Sequence, residues 1–175
     1  PAEERTVVEE QPVQQAVLAM GFRTGVLYPD DDYAALQVYN GVLGAFPHSK
    51  LFINVRERAG LAYFASSQLD GTKGLMVVVA GIRDQVEALA QGDVSTAELE
   101  QTKKGLVNAL LSEQDNPERI IWSRLLGIVN GRVRPVEETV EQVRAVTVDD
   151  VRRVAQKVKA DTVYFLRSPH GEEAR

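Results

Sequence analysis

The sequence predicts an α+β domain, an antiparallel or mixed sheet of four to five strands with helices packed on one face. Short apolar runs divided by turn residues fill the first half of the chain. Segments with helical spacing and clear end signals fill residues 94–158, and a β-branched and aromatic run at residues 162–166 closes the pattern. Strands first, then helices, then one more strand is the order that indicates this class.

Residues 1–12, rich in Glu and Gln and without periodicity, read as a linker or edge segment ahead of a single domain over residues 13–175. The run at residues 16–24 is a compact apolar strand. Asp30, Asp31 and Asp32 then stand where negative charge favours a helix start, and Leu36, Tyr39, Val42 and Leu43 carry helical spacing to a stop at Gly44. Ser49 opens a short helix with Leu51, Phe52 and Val55 on one face, and Gly60 breaks it. Residues 61–69 and 75–82 are strands joined by the turn signal at residues 70–74, hence a hairpin. Ser95 with Glu98 forms a capping box for a helix carrying Leu99, Leu106, Leu110 and Leu111. Asn116 and Pro117 start the next helix, Pro135 a third, and Thr147 with Asp150 boxes a fourth over residues 151–158.

Composition excludes several classes of function. With 44% apolar residues, 26% charged residues and a net charge of −5 spread along the chain, no basic stripe suggests nucleic acid. The absence of cysteine removes disulfide and thiolate chemistry and suits a cytoplasmic address. No apolar run is long enough for a membrane span, and the first residues carry no export pattern. Beginning at Pro1, the chain reads as part of something longer. His48 and His170 have no flanking ligand pattern, so no metal is expected, and no serine nucleophile motif or phosphate-binding glycine loop is present.

The segment that points to function is residues 49–63, which set Arg56 near a helix end and Tyr63 near a strand start, on either side of one turn. Facing the same space, a guanidinium and a phenol offer strong donors to one carbonyl or anionic oxygen, as an oxyanion stabiliser requires. On spacing alone, a solvated arginine and a packing tyrosine are the commoner outcome.

Residues 46–67, with this arginine, short turn and tyrosine in order, resemble the C-terminal half of the insulinase, pitrilysin and mitochondrial-processing-peptidase family. The closing helix and strand at residues 147–166 are similar to the end of the same half. Residues 41–50 and 74–79 look most like one bacterial subgroup, the zinc-less partner subunit associated with modification of translation elongation factor P. The resemblance implies a processing-peptidase-like half without its own zinc site, because the H-x-x-E-H helix is missing here. It implies that Arg56 and Tyr63 hold the scissile carbonyl of an extended peptide while a zinc-bearing partner subunit delivers water. The chain is then not catalytic alone but part of a metalloendopeptidase-type assembly, or else a non-enzymatic scaffold that grips peptide without cutting it. Zinc is expected only in the partner, and self-association of the isolated domain through an edge strand is a further expectation. The family carries a longer crossover helix where residues 83–91 stand, so either the helix is shortened here or, as the short connection favours, residues are absent between Ile82 and Arg83.

Overall fold

A computed structural model describes residues 3–12, 17–54, 65–79 and 94–167. Five strands, β1 (Arg5–Glu10), β2 (Val17–Arg23), β3 (Ser66–Asp70), β4 (Leu75–Val79) and β5 (Lys159–Arg167), form one open mixed sheet in the order β1-β5-β2-β4-β3. The β1–β5 pair is parallel and the other pairs are antiparallel. Arg5–Glu10, in the segment read as linker or edge, is thus an edge strand beside the last strand of the chain.

The helices are α1 (Tyr33–Asn40), α2 (Thr96–Glu113), α3 (Pro117–Val129), α4 (Val136–Ala145) and α5 (Val148–Ala155). The expected end signals act as capping groups: Ser95 and Glu98 make the box of α2, Asn116 accepts from the N–H groups of Glu118 and Arg119, and Thr147 with Asp150 boxes α5. Because its cap is Thr147, α5 begins at Val148, three residues before the expected start, and it ends at Ala155. Asp32 stands at the cap position of α1 without capping it. Its carboxylate instead meets Arg153 at 2.5 Å and Lys157 at 2.7 Å, tying the start of α1 to the end of α5.

Alternation along the strands places one sheet face against the helices. Ser67, Val78, Met20 and Val163 lie in register in one row, and Leu69, Met76, Phe22 and Ala160 in the next. Above them α1 is the central helix, with Leu36, Val38 and Tyr39 fully buried, and it packs against α2, α4 and α5. Leu36 and Val38 each contribute about 1.5–3 kcal/mol of transfer free energy. The β3–β4 hairpin has the expected turn, closed by Gly74 at φ 63°, a conformation that costs glycine nothing. The helical course of α1 does not stop at Gly44. It widens into a π turn over Gly41–Ala45, a form often found beside functional sites. No helix among the described residues is long and apolar enough to cross a membrane.

Candidate functional site

Arg56 and Tyr63 lie outside the described residues, as do Gly60, the connection at residues 80–93 and His170. Of the described flanks, residues 50–54 are helical and Ser66 begins β3. Ser49 caps this helix, accepting from the Phe52 N–H at 3.4 Å. Its start is held on α2, where Lys50 meets Glu98 at 3.1 Å and His48 reaches the buried Thr102 hydroxyl at 3.4 Å. His48 also stacks on Phe46 with centroids 5.3 Å apart, so it is a packing residue with one hydrogen bond. Burial would raise the Glu98 carboxyl, but hydrogen bonds from Ser95 and the nearby Lys50 outweigh it and hold the group below its ordinary value.

Directly after this segment, a cleft of about 510 Å³ runs between α1 and β3. Tyr33, Gln37, Asn40 and Gly44 line it at positions that share one helical face. Opposite them stand four successive residues of β3, Ser66 to Leu69. Successive strand residues point to opposite faces, so all four can line one cleft only along the strand's edge. β3 is the last strand of the sheet, and this edge is unpaired among the described residues.

The two walls meet closely at Gly44. A Cβ there would lie 2.6 Å from the Ser67 backbone nitrogen and from Ser67 Oγ. Beside it the Ser67 hydroxyl donates to the Asn40 carbonyl at 3.3 Å. The side-chain oxygens of Gln37 and Asn40 are buried and meet no donor among the described residues. Leaving a buried amide oxygen unpaired costs about 1–3 kcal/mol, and native folds do so rarely. Burial pushes the Tyr33 phenol up to about 12, so it stays a neutral donor. With no ionised side chain in its described lining, the cleft suits an uncharged polar ligand such as peptide backbone.

Gln37 and Asn40 are not among the residues to which the sequence pointed. Their signal was present: two carboxamides three positions apart on a helix whose other residues are mostly apolar. The three aspartates before α1 are engaged in the fold, Asp30 accepting from the Leu27 N–H and Asp31 pairing with Arg132 at 2.7 Å. Among the described residues no three His, Asp or Glu side chains gather as a metal site.

A family model described as peptidase M16 inactive domain matches residues 1–106 of the chain. The chain belongs to this family. Among its relatives, the Bacillus subtilis protein named probable inactive metalloprotease YmfF is 36% identical over 182 residues, taking in 95% of this chain and 42% of YmfF. A solved structure of a conserved protein from Enterococcus faecalis V583 is 34% identical, with a TM-score of 0.86 over 98% of this chain and 43% of that one. The peptidase M16 inactive domain from Pseudomonas fluorescens shares the fold at 17% identity and a TM-score of 0.72, covering 98% of this chain and 45% of that one. The M16 domain described here thus spans less than half the length of these relatives. The YmfF alignment is also longer than the share of this 175-residue chain that enters it, so YmfF carries residues with no counterpart here.

Proposed function

We propose that this M16 inactive domain is the non-zinc-binding half of a peptidase assembly. It docks on a zinc-bearing half or subunit and holds an extended peptide for cleavage there. The observation that carries the docking is α3. Ile121 is 66% exposed, Trp122 68%, Ile128 67% and Val129 69%, and Gly127 is the only buried residue of the helix. An apolar helix left this open in a soluble fold marks a surface made for another protein. The outer face of the sheet repeats the pattern, with Val7 and Val77 exposed beside Ala19, Gly21 and Val79.

The β3 edge cleft supports the peptide-holding part. An extended chain added along β3 pairs its backbone with the strand edge and brings N–H groups to the Gln37 and Asn40 oxygens. Arg56 and Tyr63, in the ten residues leading to Ala65, then act as carbonyl donors at the partner's zinc, each contributing about 2–4 kcal/mol in the transition state. The kinship with the subunit associated with elongation factor P modification, carried by residues 41–50 and 74–79, is part of the same proposal, as is a cytoplasmic location.

The test is co-expression with a zinc-bearing homologue, followed by size measurement and a peptide-cleavage assay. The pair should form, and Arg56→Ala or Tyr63→Phe should lower kcat on the order of 10²-fold each while the complex stays intact. Unchanged hydrolysis in both variants would remove the donor role and leave the scaffold alternative. Ile121→Asp with Ile128→Asp should abolish pairing, and a pair that survives both changes places the docking surface elsewhere.

A further inference from the structure

A second cavity of about 480 Å³ opens on the helical side of the molecule, between Tyr28, Tyr33, α2, α3 and the start of α4. It adjoins the β3 cleft across Tyr33 and Gln37, which line both. One part of its wall is apolar, with Leu110 from α2, Trp122 and Leu126 from α3, and Val136 from α4, while Gln37, Ser123 and Thr139 add neutral polar groups.

Arg134 stands at one side of this cavity. Its guanidinium donates to the Tyr28 carbonyl and, at 2.7 Å, to the Asp30 carbonyl, and it lies 5.4 Å and 5.9 Å from the Tyr28 and Tyr33 ring centres. Those contacts strap the loop before α1. They do not use the Nε–H, which is buried without an acceptor among the described residues. Nor do they neutralise the charge, because backbone carbonyls and ring faces carry none. Asp31 and Glu138, the acids whose charge reaches Arg134, are engaged by Arg132 at 2.7 Å and 3.7 Å. Burial first, then repulsion from Arg132, holds the Arg134 group below its ordinary value, as expected of a cation short of a counter-ion. Arg119 and Glu113, also in the lining, pair with each other at 3.4 Å and cancel.

We propose that this cavity binds the C-terminal carboxylate of a peptide whose last side chain is apolar, the carboxylate meeting Arg134 and the side chain filling the space between Leu110, Trp122, Leu126 and Val136. The apolar part of the wall favours a chain terminus over an acidic side chain, which carries only short methylene stems to such a pocket. This site stands on residues independent of Arg56 and Tyr63, so its failure and theirs are separable.

Trp122 is the only tryptophan of the chain, so its fluorescence reports occupancy directly. The probes are N-acetyl-L-leucine, N-acetyl-L-leucinamide and the α-amide of N-acetyl-L-glutamate, titrated into the 175-residue chain. N-acetyl-L-leucine should bind with Kd on the order of 1 mM, at least about tenfold tighter than its amide, and more weakly in high salt. Ser123→Phe, a change at an exposed position in the lining that leaves Arg134 in place, should abolish the signal. Arg134→Gln should erase the preference for carboxylate over amide, with circular dichroism checking that the fold persists. Equal binding of acid and amide, survival of binding in Ser123→Phe, or no response to any probe overturns the proposal. Equal binding of the glutamate probe overturns its assignment to a chain terminus.

Discussion

Gly44→Ala tests how the cleft is built. At a helical position alanine is favoured over glycine by about 1 kcal/mol, so propensity alone predicts stabilisation. The structure opposes this, since the added Cβ would stand 2.6 Å from the Ser67 backbone nitrogen and hydroxyl and 2.7 Å from Leu51 Cδ1. Leu51 is fully buried, and Ser67 is fixed by the β3–β4 ladder and by its bond to Asn40, so no single rotamer change relieves the contact. Overpacking of this kind costs about 1–3 kcal/mol, and backbone involvement puts it near the upper figure. The net is a destabilisation of about 1–2 kcal/mol, or a fall in Tm of roughly 2–8 °C for a domain of this size. Urea unfolding should show a lower midpoint at unchanged m-value, and amide exchange should quicken first along β3. Peptide binding at the edge should weaken too, because β3 must move away from Gln37 and Asn40. A Gly44→Ala protein as stable as the parent, or more so, would refute the close approach of α1 and β3 on which the cleft rests.

Asn40→Leu, which removes an unpaired buried oxygen, keeps the branching at Cγ and adds some volume, should change urea stability by no more than about 1 kcal/mol in either direction while weakening peptide binding; a loss beyond the roughly 3 kcal/mol that overpacking can cost would show that this oxygen has a partner. Thr147→Ala should cost about 1 kcal/mol, measured by thermal unfolding, through loss of the α5 capping box. Hydrogen bonds from Arg153 and then Lys157 hold the Asp32 carboxyl below its ordinary value of 3.8, against the opposing effect of burial. A depressed folded-state value means that this contribution is complete above about pH 4 and is lost as pH falls through the folded value. Asp32→Asn should therefore flatten the acid limb of stability against pH and cost about 1 kcal/mol or less at pH 7, since the partners are partly exposed.

Local chemistry made much of this fold legible in the sequence. Capping boxes at Ser95 and Thr147, the Asn116–Pro117 start and the turn closed by Gly74 act over three or four residues, and each stands where the sequence placed it. The family was equally readable, because residues 46–67 carry its pattern in one continuous stretch. Other features depend on partners distant in the chain. Residues 5–10 show no strand periodicity and become β1 only because β5 offers an edge to pair with. Gly44 looked like a helix stop, yet glycine is needed there because β3 approaches within contact distance.

The candidate sites divide in the same way. Sequence by itself determined the α+β order, the helix caps and the missing zinc motif, since each follows from residue type and spacing along the chain, and the resemblance of residues 46–67 to the family supplied the Arg56 and Tyr63 hypothesis. Only the tertiary structure set the unpaired oxygens of Gln37 and Asn40 beside a sheet edge, left Arg134 short of a counter-ion, and turned the apolar face of α3 outward. Whether a polar group is satisfied, or an apolar face covered, depends on what long-range packing brings beside it, and spacing along a chain carries no record of that.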